Sequence, residues 1–97
     1  MSSNLGSFTI QAGMGNYLVY WSTTSALNML VMTYAHLYME KSWKINACCP
    51  GYMATDLNNF RGAGRIEDGA INAVRLATLG KDGETGTYSN KEVSMPW

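Results

Sequence analysis

The stretch Tyr20-Trp21-Ser22-Thr23-Thr24-Ser25-Ala26-Leu27-Asn28-Met29-Leu30 decides the fold, because it opens a run to about Lys41 that contains neither glycine nor proline. Ala26, Leu27, Met29, Leu30, Met32, Ala35, Leu37 and Met39 put apolar groups around much of a helical circumference. Such a helix packs on two surfaces. Ser22, Thr23, Thr24, Ser25, Asn28, Thr33 and His36 interrupt the run too often for a transmembrane span. The segment is therefore expected to be buried in protein.

Working outward, Trp43 to Cys49 alternates in the manner of a strand until Pro50-Gly51 stops it, and a loop follows to about Arg65. Glu67 and Asp68 suit a helix N-terminus, Ala70, Ile71, Ala73, Val74, Leu76, Ala77 and Leu79 form a buried stripe, and Gly80 ends it. Residues 85–89 read as a last short strand. Upstream, residues 1–16 mix Gly6, Gly13 and Gly15 with Ser7-Phe8-Thr9-Ile10, suggesting a strand remnant and loops. The order of loop, helix, strand, helix and strand predicts an α/β fold. It is a partial Rossmann-like three-layer unit, a short parallel sheet with two main helices, completed by oligomerisation. Residues 1–97 form a single domain.

A chain of 97 residues supports one modest core and buries only about 60–65% of its unfolded surface, so leftover apolar area wants a partner. Seven basic and seven acidic side chains cancel, the first charged one being Glu40. Without a Lys/Arg cluster, nucleic acid is not an expected ligand. Residues 1–15 lack the pattern of a signal peptide, so the expectation is a cytoplasmic protein without membrane attachment. Cys48 and Cys49 are adjacent, point to opposite faces of a strand and read as reduced thiols. With His36 the only histidine, no metal site is expected.

YWSTTSALNML from Tyr20, KINACCPGYMATDL from Lys44, IEDGAINAVRLATL from Ile66 and TGTYSNKEVSMPW from Thr85 together resemble the short-chain dehydrogenases/reductases over most of the chain. The resemblance implies that Tyr20 is the active-site tyrosine. It implies that Pro50, Gly51 and Thr55, with Tyr52 between them, form the loop that touches substrate and nicotinamide. It also matches Ser3 to the family's serine, seventeen residues before Tyr20. Two departures oppose a redox role. Thr24 stands where the family has lysine. The Gly-rich turn that seats a dinucleotide pyrophosphate is absent from the sequence, which starts near the end of the family's catalytic strand. RGAGR at 61–65 follows the Pro50-Gly51 loop and lacks the strand-to-helix context of a phosphate cradle.

Without a neighbouring cation a tyrosine ionises near pH 10, at about one part in a thousand at neutrality, so Tyr20 is expected to donate a hydrogen bond rather than act as a base. With Ser3 it would stabilise negative charge on a carbonyl or enol oxygen. Competing readings stay open: Tyr20 as a packed aromatic, Ser3 as a helix cap, Thr24 as a hydroxyl bonded one turn back. His36, sixteen residues on, lies about 24 Å away at roughly 1.5 Å per residue and is expected in a core or interface. Met29, Met32, Met39, Tyr34 and Tyr38 suit a helix contact between copies, or a pocket formed there. Three functions follow. The first is a cofactor-independent, non-redox isomerase, cyclase or lyase acting on a small apolar oxygenated molecule. The second is a non-catalytic interaction module or remnant. The third is an NAD(P)-dependent oxidoreductase half completed by another chain, which Thr24 opposes.

Overall fold

The computed structural model describes residues 1–11 and 17–97. The glycine-free run forms the longest helix, α2 (Leu18–Leu37), after a 3-10 turn at Asn4–Gly6 and a short helix α1 (Phe8–Gln11). Tyr38 closes α2, its N–H donating to the Tyr34 carbonyl at 3.0 Å, and its ring lies against Tyr34 and Trp43 with centroids 6.0 and 4.8 Å apart. Strand β1 (Ala47–Cys48), helix α3 (Ile66–Ala77) and strand β2 (Tyr88–Ser89) follow. The two strands are parallel, with Ala47 opposite Tyr88 and Cys48 opposite Ser89. Main-chain bonds from Gly86 N to Ile45 O (2.8 Å) and from Cys49 N to Ser89 O (2.9 Å) extend the pairing beyond these four residues.

Both edges of this small sheet meet other parts of the chain. Ser2 N donates to Cys48 O at 2.6 Å on the free side of β1. Beyond β2 the chain turns at Asn90, whose side-chain oxygen accepts from the amides of Glu92 and Val93 at 2.8 Å each. It then returns antiparallel, Met95 N donating to Tyr88 O at 2.8 Å. The returning segment covers an edge that would otherwise offer unpaired backbone groups.

Alternation along β1 sorts the layers. Ala47 and Cys49 turn to one side, where Tyr88, Val31 of α2, Met95 and Trp97 complete the apolar core. Cys48 and Ser89 turn to the other, where Asn72 of α3 donates to Ser89 O (2.9 Å), Ser89 Oγ (3.1 Å) and Cys48 Sγ (3.4 Å). The sheet therefore lies between α2 and α3, the expected three-layer arrangement. Both cysteines are buried free thiols.

Three expectations differ from the structure. Ser7 to Ile10 is not a strand: Ser7 is buried and its Oγ accepts from Ile10 N at 3.3 Å, capping α1. The predicted stripe of α3 is only partly buried: the buried residues are Gly69, against Met53 and Pro50, and Asn72, against the sheet, whereas Ile71 and Val74 are exposed. Small and hydrogen-bonding groups win the sheet face because β1 and β2 are too short to leave an apolar floor for larger ones. In α2, likewise, Thr24, Asn28 and Ala35 are the buried residues, and Met29, Leu30, Met32, Tyr34 and Leu37 are exposed, as is Met39 just beyond its end. His36 is exposed as well, in the last turn of α2. Gly13 and Gly15, read as loop residues, lie outside the described residues. Among the described residues no helix is long and apolar enough to cross a membrane.

Candidate active site around Tyr20

Tyr20, Thr24 and Asn28 follow one another at i, i+4 and i+8 and so form a single stripe of α2. Thr24 and Asn28 on that stripe are buried, while Tyr20 at its N-terminal end is 49% exposed. The stripe packs on Gly6, whose missing side chain permits the contact: a Cβ there would lie 2.6 Å from Thr24 Cγ2. Ser25 Oγ (2.9 Å) and Asn28 Nδ2 (3.3 Å) both donate to the Gly6 carbonyl and fix the approach. Thr24 Oγ1 donates to the Tyr20 carbonyl at 2.6 Å, one turn back. Its hydroxyl is engaged within the helix, and the position carries no charge.

Ser3 caps the 3-10 turn, its Oγ accepting from Leu5 N at 3.2 Å and lying 3.4 Å from Asn4 Oδ1. Among the described residues no hydrogen bond joins Ser3 to Tyr20. The serine tied to the Tyr20 stripe is Ser2, buried, with its Oγ donating to Asn28 Oδ1 at 2.5 Å. Close by, Cys49 Sγ accepts from Asn4 N at 3.3 Å. The Tyr88 hydroxyl is buried without a hydrogen-bond partner among the described residues. Burial, then the neighbouring Cys49, push its ionisation well above the usual tyrosine range, with Tyr20 a smaller contributor and Ser2 opposing. Asn28 was recoverable from its spacing to Tyr20. Ser2 and Tyr88 were not, because their meeting depends on how residue 2 and β2 flank β1.

Pro50, Gly51, Tyr52 and Thr55 lie directly after β1. Gly51 has φ +88°, which a side chain would strain, and Tyr52 is exposed. Thr55 begins a 3-10 helix, Asp56–Asn58, and its N–H donates to Asn58 Oδ1 at 3.1 Å. Asn59 and Phe60 then take the left-handed conformation, φ 51° and 57°. The loop closes on itself through Ala54 N to Gly64 O (2.9 Å) and Gly64 N to Tyr52 O (3.1 Å). Leu57 and Phe60 project from its tip into solvent.

This closure explains the glycines of RGAGR. A Cβ on Gly62 would lie 2.0 Å from the Met53 carbonyl carbon, and one on Gly64 2.5 Å from Met53 Sδ. Their bareness serves contact with residues 52–54 and leaves no phosphate cradle. Among the described residues, then, a dinucleotide would find the loop of Pro50, Gly51 and Thr55 but neither a pyrophosphate seat nor a cation on the Tyr20 stripe. An open groove of about 300 Å³ is lined by Arg75, Glu84, Thr87, Ser89 and residues 90–94, apart from Tyr20 and its loop.

No family model matches the chain. Individual proteins do. A short-chain dehydrogenase/reductase of Stachybotrys chlorohalonatus is 41% identical over 78 residues, which is 70% of this chain. The (+)-neomenthol dehydrogenase of Capsicum annuum is 31% identical over 90% of this chain, and an NADPH carbonyl reductase of Rattus norvegicus is 31% identical over 80%. The chain spans 28% of the length of the first two. Among solved structures, the carbonyl reductase Sniffer of D. melanogaster superposes on the whole chain with a TM-score of 0.84 at 22% identity, over 39% of its own length. Salutaridine reductase from Papaver somniferum gives 0.65 at 29% identity over 71% of this chain and 23% of its own length.

Proposed function

Because the chain belongs to the short-chain dehydrogenases/reductases, matching one portion of their length, we propose that it binds a small apolar molecule bearing a carbonyl or enol oxygen through the neutral Tyr20 hydroxyl. On this reading its chemistry is cofactor-independent and non-redox: isomerisation, dehydration or cyclisation. The observation that carries the proposal is Thr24, whose hydroxyl turns back to the Tyr20 carbonyl and leaves the stripe without a cation. Tyr20 O–H would donate to the ligand oxygen and stabilise negative charge developing on it. Pro50, Gly51, Tyr52 and Thr55 would form the mouth, and Ser3, beside the 3-10 turn, a second donor. Titrating the chain with cyclohexanone, with NADPH and with NADP⁺ by tryptophan fluorescence tests this. Saturable cyclohexanone binding that Tyr20→Phe weakens is the expected result. Saturable nicotinamide binding, or Tyr20→Phe without effect on cyclohexanone, overturns it.

The exposed outer face of α2 favours a companion reading in which two copies meet along the Tyr20 to Met39 segment. Met29, Leu30 and Leu37 are each more than half exposed, an area that water disfavours and a symmetric helix contact would cover. Mass in solution should be twice that of one chain, falling to one on Met32→Glu. A monomeric wild-type chain rejects this reading.

A further inference from the structure

The side chain of Met53 lies in a slot walled by glycines. A Cβ on Gly51 would lie 2.7 Å from Met53 Cε, one on Gly64 2.5 Å from Sδ and 2.6 Å from Cε, and one on Gly69 3.0 Å from Cγ. Carbons in contact sit about 3.5–4 Å apart, so each wall must be bare for the methionine to lie there. The three glycines belong to different segments: the turn after β1, the far arm of the loop, and α3. Met53 thus ties the loop to itself and fastens it to the helix. Its backbone makes the first of these connections again, in a parallel bridge to Gly64 flanked by the bonds from Ala54 N to Gly64 O and from Gly64 N to Tyr52 O.

The group that holds these segments together is a thioether. An unbranched apolar chain suits a narrow slot, and reduced sulfur asks for no hydrogen bond. Oxidation reverses both properties, because a sulfoxide is polar and chiral and carries an oxygen that requires a donor. The loop amides beside it are already engaged, Gly64 N with Tyr52 O and Ala54 N with Gly64 O, and Gly64 presses on Sδ without room for another atom. Met53 is half-buried on a loop rather than sealed in the core, within reach of a small oxidant dissolved in water. Met29, Met32 and Met39 are exposed, and an oxygen added to them meets solvent.

We propose that Met53 is a peroxide-sensitive latch on the loop after β1. Hydrogen peroxide transfers one oxygen atom to Sδ: the O–O bond breaks, an S–O bond forms, sulfur gives up two electrons, and the remaining oxygen leaves as water. The sulfoxide does not fit between Gly51, Gly64 and Gly69, so the side chain leaves the slot and the two arms of the loop part. The latch does not rest on the function proposed above; its release would displace Tyr52 and Thr55 from the mouth proposed there.

The test exposes the wild-type chain to hydrogen peroxide and follows two quantities in time. Oxidation of Met53 is read by mass spectrometry in the tryptic peptide 45–61, which holds no other methionine and in which fragment ions separate Met53 from Cys48 and Cys49. Loop opening is read by NMR as hydrogen exchange of the Ala54 and Gly64 amides. Exchange at both amides should quicken by about tenfold or more in step with the Met53 sulfoxide, while the Cys49 amide, bonded to Ser89 O, stays protected. The same treatment of Met53→Leu, a swap of similar volume, should leave both amides unchanged. If leucine opens the loop before treatment, the wild-type time course decides, and exchange that follows the sulfoxides of Met29, Met32 and Met39 instead of that of Met53 overturns the proposal. So does a folded chain in which Met53 resists peroxide while those three oxidise, an oxidised Met53 with both amides still protected, or an equal loss of protection in treated Met53→Leu.

Discussion

Replacing Gly62 with alanine tests most directly whether RGAGR is a packing element. A Cβ at this position would lie 2.0 Å from Met53 C, 2.2 Å from Met53 O and 2.3 Å from Ala54 N. Carbon atoms in contact sit about 3.5–4 Å apart, and all three obstructing atoms are backbone, so no rotamer change relieves the overlap. The two arms of the loop must separate by more than about 1 Å, which breaks the bonds from Ala54 N to Gly64 O and from Gly64 N to Tyr52 O. At about 0.5–1.5 kcal/mol each, their loss costs about 1–3 kcal/mol before any strain. For a domain of this size that lowers Tm by about 5–20 °C. The control is Gly80→Ala, where a Cβ would meet nothing within 4 Å. Reduced freedom of the unfolded chain should stabilise that variant by about 0.4–1 kcal/mol. Both transitions can be followed by near-ultraviolet circular dichroism. Melting of Gly62→Ala within about 2 °C of wild type would refute the close-packing explanation and reopen the loop as a ligand cradle.

Asn72→Ala should cost about 2–3 kcal/mol, because it leaves the buried Ser89 carbonyl without the side-chain donor at 2.9 Å and removes the acceptor of Arg75 Nε, also at 2.9 Å; urea denaturation measures it, and a change below about 0.5 kcal/mol would contradict the role of Asn72 in joining α3 to the sheet. Thr24→Val keeps the shape packed on Gly6 and loses only a bond within the helix, so it should cost no more than about 1 kcal/mol and leave cyclohexanone affinity unchanged; weaker binding would give the Thr24 hydroxyl a part in the site. Tyr88 makes stability fall at alkaline pH. Its folded-state ionisation lies above the ordinary value of 10.0, so the unfolded chain releases the proton first. The contribution is intact below about pH 10 and is lost above it at about 1.4 kcal/mol per pH unit. Tm profiles from pH 8 to 11 should therefore decline less steeply in Tyr88→Phe, and parallel profiles would count against burial of a titratable hydroxyl.

Local pattern carried much of the fold. A run free of glycine and proline had to become α2, alternation ending at Pro50-Gly51 had to become β1, and Glu67 and Asp68 did mark the first turn of α3. Thr24 was legible too, since a hydroxyl four residues into a helix commonly bonds back to the carbonyl one turn earlier. The family resemblance of Tyr20 and its loop was also readable, because those motifs are contiguous in sequence.

Tertiary structure decided which faces are used and which polar groups meet. Periodicity shows that α2 and α3 have apolar stripes but not which stripe the neighbouring segments can receive: the sheet took Asn72, the loop after β1 took Gly69, and Ser2 and Gly6 took Asn28, instead of the larger apolar groups. Ser2 displaced Ser3 as the serine linked to the Tyr20 stripe because the backbone pairing of residue 2 with Cys48 turns one of two neighbouring hydroxyls inward. Tyr88 came beside Cys49 only through the parallel register of β2 with β1, which sets Tyr88 opposite Ala47, 41 positions earlier (88 − 47). Sequence determined the elements and the missing charge at position 24; the pairing of distant backbone segments determined the buried polar network on which Tyr20 rests.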